Sequence, residues 1–397
     1  MLRSSLGVLV SALLLASCGS DPDAHEGCPD APGVICTWAG SGEPGFNGDG
    51  LALPQSDLYW PVGITFTDAD EAYVLDWQNH RVRRVTDERT FETVIGTGSV
   101  GDGPTIDPSE SQHYSDLAAP GAPGTRIDLN HPTALVPQAD GTLLLVAWHN
   151  HKIRTFDPST GLVLVACGRG AGFSGDGGPA SAALLNQPNQ LVIAHDGAQF
   201  VLDQRNQVIR EIDARGIIRT IAGTPTKPGF AGDGGSPAAA QFNFPTGSNP
   251  PPAGGIALDA NGILYVADTS NHRIRKIDLD NDVITTLAGT GEAAYSGDGG
   301  PATEAALHNP RTMAIGPDGR LYVADEYNHR IRAIDLDSGI ITTVAGTGDE
   351  TFAGDGGLAT EAALQRPAGI AFDSQGALYI ADTYNSRIRR IGPASRN

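Results

Sequence analysis

The chain has 397 residues and a formal charge of −20, from 26 Lys and Arg against 46 Asp and Glu, with 51 Gly, 27 Pro and 4 Cys. That balance leaves no basic footprint to neutralise phosphates, which excludes nucleic acid and anionic membrane surfaces as charge-matched partners. Four Cys over this length exclude a disulfide-built fold, and Gly and Pro together stay below the aperiodic level of disordered chains.

The first element is an address. Met1–Ser17 carries one cation, Arg3, ahead of an apolar run Leu6–Ala16. The run is too short for a bilayer core, which needs about 20 residues, and fits a secretory leader. Its end, Leu15-Ala16-Ser17-Cys18, resembles the lipobox of bacterial lipoproteins. That resemblance implies removal of residues 1–17 and acylation of Cys18, which holds the chain on a membrane of the cell envelope through several acyl chains. Gly19 after the Cys, rather than Asp, favours the outer over the inner membrane. Residues 18–33 are rich in Gly, Pro and Asp without apolar periodicity and read as a flexible tether. Cys28 and Cys36 are the expected local disulfide, permitted by export. Cys167 stands where other copies of its segment carry Ala and reads as a small buried residue.

Length alone implies two or three domains, but internal repeats replace that reading. The segment Tyr265–Asp278 has counterparts centred on Asn79, Asn150, Asn206, Asn271, Asn328 and Asn385. The base period is about 57 residues. The longer intervals hold insertions at Thr105–Ile127 and Thr246–Ala253. A second repeated segment runs from a strand ending near Ala-Gly-Thr-Gly through Gly-Asp-Gly to a Pro, with its Asp at 49, 102, 176, 233, 298 and 355. In five copies an aromatic precedes that Asp by three positions: Phe46, Phe173, Phe230, Tyr295 and Phe352.

Each unit predicts four short strands. In the last complete unit they lie near Thr312–Ile315, Arg320–Ala324, Arg330–Ile334 and Ile340–Ala345, β-branched or aromatic-rich and separated by Gly/Asp turns. No unit holds a 3.6-residue periodicity long enough for a packed helix. Four-stranded units repeated radially make an all-β fold, here a six-bladed β-propeller forming one domain over residues 34–391, with a short tail at 392–397. The final unit stops after its third strand at Ile391, while Val34–Gly40 matches an orphan fourth strand. The N-terminal strand is therefore expected to close the last blade and leave every edge paired.

Asn-His-Arg-Ile-Arg preceded by Tyr-Val-Ala-Asp, as in Tyr265–Arg275, resembles the NHL repeat, and the similarity covers residues 34–391. NHL propellers serve as protein-binding, RNA-binding, sensor and enzyme domains, so the resemblance implies a fold and leaves the activity open. Among related propellers, the peptidyl-hydroxyglycine amidating lyase holds zinc through His residues at the channel mouth. Here Val62, Thr133, Asn189, Arg311 and Ala368 follow the prolines that open the first strands, and none is His. His131 and His308 precede Pro132 and Pro310 at different offsets. No catalytic triad, phosphate loop or zinc spacing occurs elsewhere.

The repeated polar residues read as structure first. Arg stands four positions after the repeat Asn in all six units, and Asp three before it in five, the second blade having Ala147. Blades are covered on both faces, so each Arg needs a carboxylate. The expected pairs are Asp76 with Arg83, Asp203 with Arg210, Asp268 with Arg275, Asp325 with Arg332 and Asp382 with Arg389. His80, His151, His272 and His329 read as solvated or half-packed turn residues, because Gln207 and Ser386 replace them in two units. The Gly-Asp-Gly loops are explained by turn chemistry, but they leave open an acidic rim of Asp49, Asp176, Asp233, Asp298 and Asp355 that could hold Ca²⁺. Asp278–Asp282 superficially resembles a calcium loop and, lacking its Gly and distal Glu, reads as a hairpin turn. The first insertion, with Glu110, His113, Tyr114 and Asp116, reads as a mobile arm on the same face.

The expected function is a lipid-anchored binding or scaffold module for a protein, peptide or envelope glycan held on the loop face, with no catalytic residue and no cofactor assigned. The alternative is a metal-dependent lyase or hydrolase, amidating-lyase-like, virginiamycin-lyase-like or lactonase-like, with zinc or calcium in the central channel.

Overall fold

The repeat units fold as read, each into an antiparallel four-stranded sheet. The computed structural model describes residues 28–105, 113–247 and 251–393; the leader and Cys18 lie outside them. Blade 1 comprises Pro61–Phe66, Ala72–Asp76, Arg81–Val85 and Phe91–Ile95, and blade 2 Pro132–Pro137, Leu143–Ala147, Lys152–Asp157 and Leu162–Cys167. Blade 3 comprises Pro188–Ile193, Gln199–Asp203, Val208–Ile212 and Ile217–Ala222, and blade 4 Ile256–Leu258, Ile263–Asp268, Arg273–Asp278 and Val283–Ala288. Blade 5 comprises Pro310–Ile315, Leu321–Asp325, Arg330–Ile334 and Ile341–Ala345. Blade 6 takes Pro367–Phe372, Leu378–Asp382 and Arg387–Ile391 from the C-terminal end and its outer strand, Ile35–Ala39, from the N-terminal end, with Thr37 opposite Arg389. The only helical segments among the described residues are short 3-10 turns, and short extra strands such as Ala122–Pro123 and Gly178–Pro179 add to blades 2 and 3.

Packing explains the composition of the strands. The second strands Ala72–Asp76, Leu143–Ala147, Leu321–Asp325 and Leu378–Asp382 are buried at every position, because both faces of a blade are covered by its neighbours. The core is accordingly divided into interblade layers, for example Tyr265, Ile274 and Ala288 of blade 4 against Met313, Leu321 and Val323 of blade 5. The first strands face one another around a central channel whose cavity of about 350 Å³ is lined by Val62, Ile64, Leu135, Leu191, Met313, Ile370 and their neighbours.

Opposite each repeat Arg the pairing of third and fourth strands slips by one residue, as where Ile274 faces Ala288 but Arg275 faces Thr286. This bulge bends the blade and re-aims the Arg side chain. Just beyond it, Gly289 sits at φ 97°, where an added Cβ would stand 2.3 Å from the His272 carbonyl oxygen, so glycine alone fits the crossing.

Two readings change. From Cys28 onward the expected tether is held down: Cys28 is disulfide-bonded to Cys36, and Asp30 pairs with Arg390 at 2.5 Å. The described part of the first insertion is likewise tied in rather than projecting. Ala122–Pro123 pairs with the outer strand of blade 2, Tyr114 packs against the core between blades 1 and 2, and Asp116 is buried. Glu110 lies outside the described residues.

Candidate functional site

The repeated polar residues form one construction in each blade. In blade 4, Arg275 is wholly buried and reaches Asp268, also wholly buried, at 3.2 Å and the loop residue Asp233 at 2.6 Å. Asp268 accepts further bonds from Asn271 Nδ2 and the Asn243 amide, both at 2.8 Å. Burial pushes Asp268 up to about 6 against the pull of these three partners. Asn271 Nδ2 also donates to the Gly229 carbonyl at 2.7 Å, which fixes the incoming loop.

The same triad of Arg with an inner and a loop Asp joins Arg83 to Asp76 and Asp49, Arg210 to Asp203 and Asp176, Arg332 to Asp325 and Asp298, and Arg389 to Asp382 and Asp355. In blade 2, where Ala147 replaces the inner Asp, Arg154 takes Asp102 at 2.6 Å and Asp116 of the insertion at 3.2 Å. The loop aromatics complete the sandwich, with Phe230 under both Arg273 and Arg275.

This geometry bears on the acidic rim. Asp49, Asp176, Asp233, Asp298 and Asp355 are each drawn to a guanidinium in their own blade instead of converging on a shared cation position. His113 is exposed and Tyr114 is half-buried against the core between blades 1 and 2, away from those Asp residues. No three His, Cys, Asp or Glu side chains gather at metal-ligand spacing among the described residues, and the channel lining is aliphatic apart from Phe372 and the polar Thr and Gln. Among the described residues, therefore, no donor set is gathered for calcium at the loops or zinc in the channel.

The turn histidines have a role that the repeat pattern alone does not disclose. His80, His151, His272 and His329 occupy the left-handed position of their turns, with φ between 53° and 56°. Each Nδ1 accepts an amide N–H from the next blade: His131, Gln187, Asn309 and Arg366, at 3.2, 3.0, 3.2 and 3.1 Å. In blade 3, Gln207 Oε1 does the same for the Phe244 amide at 2.8 Å. Burial holds all four imidazoles below their ordinary pKa, which keeps the accepting nitrogen unprotonated.

These staples position what surrounds the channel mouth. Five residues just before the first strands, Trp60, His131, Gln187, Asn309 and Arg366, are held at φ 48–64°. A left-handed backbone at a bulky non-Gly residue before Pro is strained, and such strain collects at functional sites. Across each inner hairpin stand the residues following the second strand: Trp77, Trp148-His149, Gln204-Arg205, Glu326-Tyr327 and Tyr384. Together they build a run of rings around the mouth. Tyr384 stacks on Trp60 with centroids 4.7 Å apart, Trp60 lies 6.3 Å from Trp77, Trp77 meets His131 at 4.2 Å, and Trp148 stacks on His149 at 3.9 Å. His131 Nδ1 and His149 Nδ1 are 3.0 Å apart, so one ring donates to the other. Burial first, then neighbouring imidazoles, lowers His131 to about 3; burial, then His151, His80 and Arg205, lowers His149 to about 4. Tyr384 is 37% exposed, and Trp60 and Trp77 are half-buried.

The second insertion borders the opposite side of this mouth. Gln204 Nε2 donates to the Pro245 and Pro251 carbonyls, and its Oε1 accepts from Trp148 Nε1 at 3.1 Å. The mouth was missed from the sequence because its residues differ from blade to blade where the repeats were matched by likeness. The available signal was that three of the four Trp, 60, 77 and 148, fall at two such positions.

A model of the NHL repeat matches residues 253–277 and 364–391, and a model of the teneurin NHL domain matches 289–351. The chain is 30% identical over 274 residues to Protein SUPPRESSOR OF QUENCHING 1, chloroplastic, of Arabidopsis thaliana, covering 66% of this chain and 25% of that one. It is 27% identical over 319 residues to NHL repeat-containing protein 2 of Bos taurus, covering 73% and 40%. The chain thus spans well under half the length of these relatives. Among solved structures, an auxiliary nutrient binding protein from Bacteroides thetaiotaomicron superposes with a TM-score of 0.60 at 17% identity, over 90% of this chain and 76% of that one, a likeness of fold.

Proposed function

Because the chain belongs to the NHL-repeat β-propeller family, we propose that it works as a binding module carried at the cell envelope by the lipid on Cys18, in the outer rather than the inner membrane. Its partner, a protein, peptide or envelope glycan, is held over the channel mouth at the end of the ring where the turns between second and third strands lie. The observation that carries this reading is the run of rings from Tyr384 through Trp60, Trp77 and His131 to His149, set on strained backbone at the rim of an open channel. Rigid aromatic surface with polar edges gives contact area at little conformational cost, which suits recognition. A catalytic reading has less support, because the cavity beneath the mouth is lined by Val, Ile, Leu, Ala, Met and Phe372, with Thr and Gln as its polar side chains.

Probing arrays of peptides and bacterial glycans with the intact chain and with Trp60→Ala/Tyr384→Ala tests this. Binding lost in the variant, with its unfolding transition retained, supports the mouth as the site. Binding unchanged in that variant overturns it.

A further inference from the structure

The charge at the mouth runs against the charge of the molecule. On a chain of −20, the run of rings ends in a guanidinium on each side. Arg366 of blade 6 lies over Tyr327 and Tyr384, at 4.3 and 4.7 Å from the ring centroids, and donates to the Tyr384 hydroxyl at 3.1 Å. Arg205 of blade 3 is half-buried directly after Gln204, its amide donating to the Asn186 carbonyl at 3.0 Å beside Gln187. Neither guanidinium has an ion-pair partner among the described residues, whereas every repeat Arg has two. Of the carboxylates near the mouth, Glu326 is buried, faces Arg311 at 3.8 Å and is also within electrostatic reach of Arg366, while the exposed Glu350 lies 3.2 Å from His329 Nε2.

Polar atoms at the mouth are also unspent. Gln187, 2% exposed and the blade 3 counterpart of Trp60 and His131, has no partner for its Oε1. The adjacent Asn186 Oδ1 likewise has none, and Trp77 Nε1 is a buried donor without an acceptor. Two acceptors and a donor beside flat rings call for groups that both donate and accept, as hydroxyls do. Indole and phenol faces suit the apolar face of a pyranose, while unpaired guanidiniums suit a carboxylate.

Resting on the binding reading above, we infer that the ligand of the mouth is an acidic saccharide, a chain of pyranose units bearing carboxylates, stacked on Tyr384, Trp60 and Trp77 and held at its carboxylates by Arg366 and Arg205. The net negative charge of the chain disfavours such a ligand on its surface at large, while the two cations of the mouth favour it there, which gives the site its selectivity.

Calorimetric titration of the intact chain with tetragalacturonate, with maltotetraose as the neutral probe and an Asp/Glu-rich decapeptide as the acidic non-sugar, tests this. The expected result is binding of tetragalacturonate that weakens at least tenfold in Arg205→Ala/Arg366→Ala and in Trp60→Ala, and weakens with added salt in the parent but not in the Arg variant. Trp60→Phe retains a stacking face and is expected to keep most of the affinity, which separates a lost contact from a damaged fold. Maltotetraose binding as tightly as tetragalacturonate, or the Arg variant binding it unchanged, overturns the acidic assignment and leaves the binding reading standing. Decapeptide binding at the mouth without tetragalacturonate binding overturns the saccharide assignment alone. Tetragalacturonate binding that both Trp60→Ala and the Arg variant leave intact overturns the inference and the mouth as its site together.

Discussion

Replacing Arg275 by Ala perturbs the construction repeated around the ring at its centre. The wild-type guanidinium holds Asp268, which is 0% exposed, and Asp233, which is 37% exposed. Truncation leaves the buried carboxylate with only Asn271 and the Asn243 amide, and an uncompensated buried charge costs about 3–5 kcal/mol. Asp233→Ala instead removes a partner already in water, and the expected loss is about 1 kcal/mol or less. The pH dependence adds a second signature. Burial already pushes Asp268 up to about 6 with Arg275 present, and the variant raises it further above the unfolded value of about 3.9. A carboxyl raised in the folded state gains stability as pH falls toward its unfolded pKa. The deficit of Arg275→Ala should therefore shrink between pH 8 and pH 5, by up to about 1.4 kcal/mol per pH unit while Asp268 titrates. Urea unfolding followed by tryptophan fluorescence at pH 8, 7 and 5 measures all three quantities. A loss below about 1 kcal/mol for Arg275→Ala, equal losses for the two variants, or a deficit independent of pH would refute the reasoning.

The interblade staples predict that His272→Ala, which leaves the Asn309 amide without its acceptor, loses about 1–3 kcal/mol in urea. His272→Gln should lose far less, because Gln207 already serves this position in blade 3; equal losses would contradict the staple. Asp116→Ala removes the carboxylate that replaces the missing inner Asp of blade 2, so it should lower the urea midpoint while Ala147→Asp in the same chain restores it; no rescue means that Arg154 is satisfied otherwise. His131 and His149, lowered to about 3 and about 4, should show flat imidazole shifts by NMR from pH 8 down to pH 5. Because their folded values lie below the unfolded value of about 6.5, the stability they contribute is complete above that pH and is lost as pH falls toward the folded values. A midpoint above 5.5 for either would show that the rings are solvated.

What repeats is what the sequence discloses. The strands, the closure by Ile35–Ala39 and the ion pair of Arg275 with Asp268 follow from segments that recur in phase, because buried strands tolerate few side chains. The loop residues Asp233 and Asp298 were placed by position, but their contacts with Arg275 and Arg332 depend on a bulge and on the path of the incoming loop, which spacing does not encode. The Nδ1 bond from His272 to blade 5 is likewise a contact between units, visible only once the units are set side by side. The mouth was least accessible. Trp60, Trp77 and Tyr384 meet because blades 6 and 1 close on each other, although Tyr384 and Trp60 lie at opposite ends of the chain. The tie of Asp116 to Arg154 is of the same kind: its need was signalled by Ala147, but its source in the insertion was not.

Fluorine NMR of the chain with its four tryptophans replaced by 5-fluorotryptophan tests the central claim most directly. Trp60, Trp77 and Trp148 belong to the mouth, while Trp38 packs on Tyr379 in the outer strand of blade 6 and serves as an internal control. Saturating tetragalacturonate is predicted to move the Trp60 and Trp77 resonances and leave Trp38 in place. A bound state in which Trp60 and Trp77 do not move, or in which Trp38 alone does, would contradict binding at the mouth.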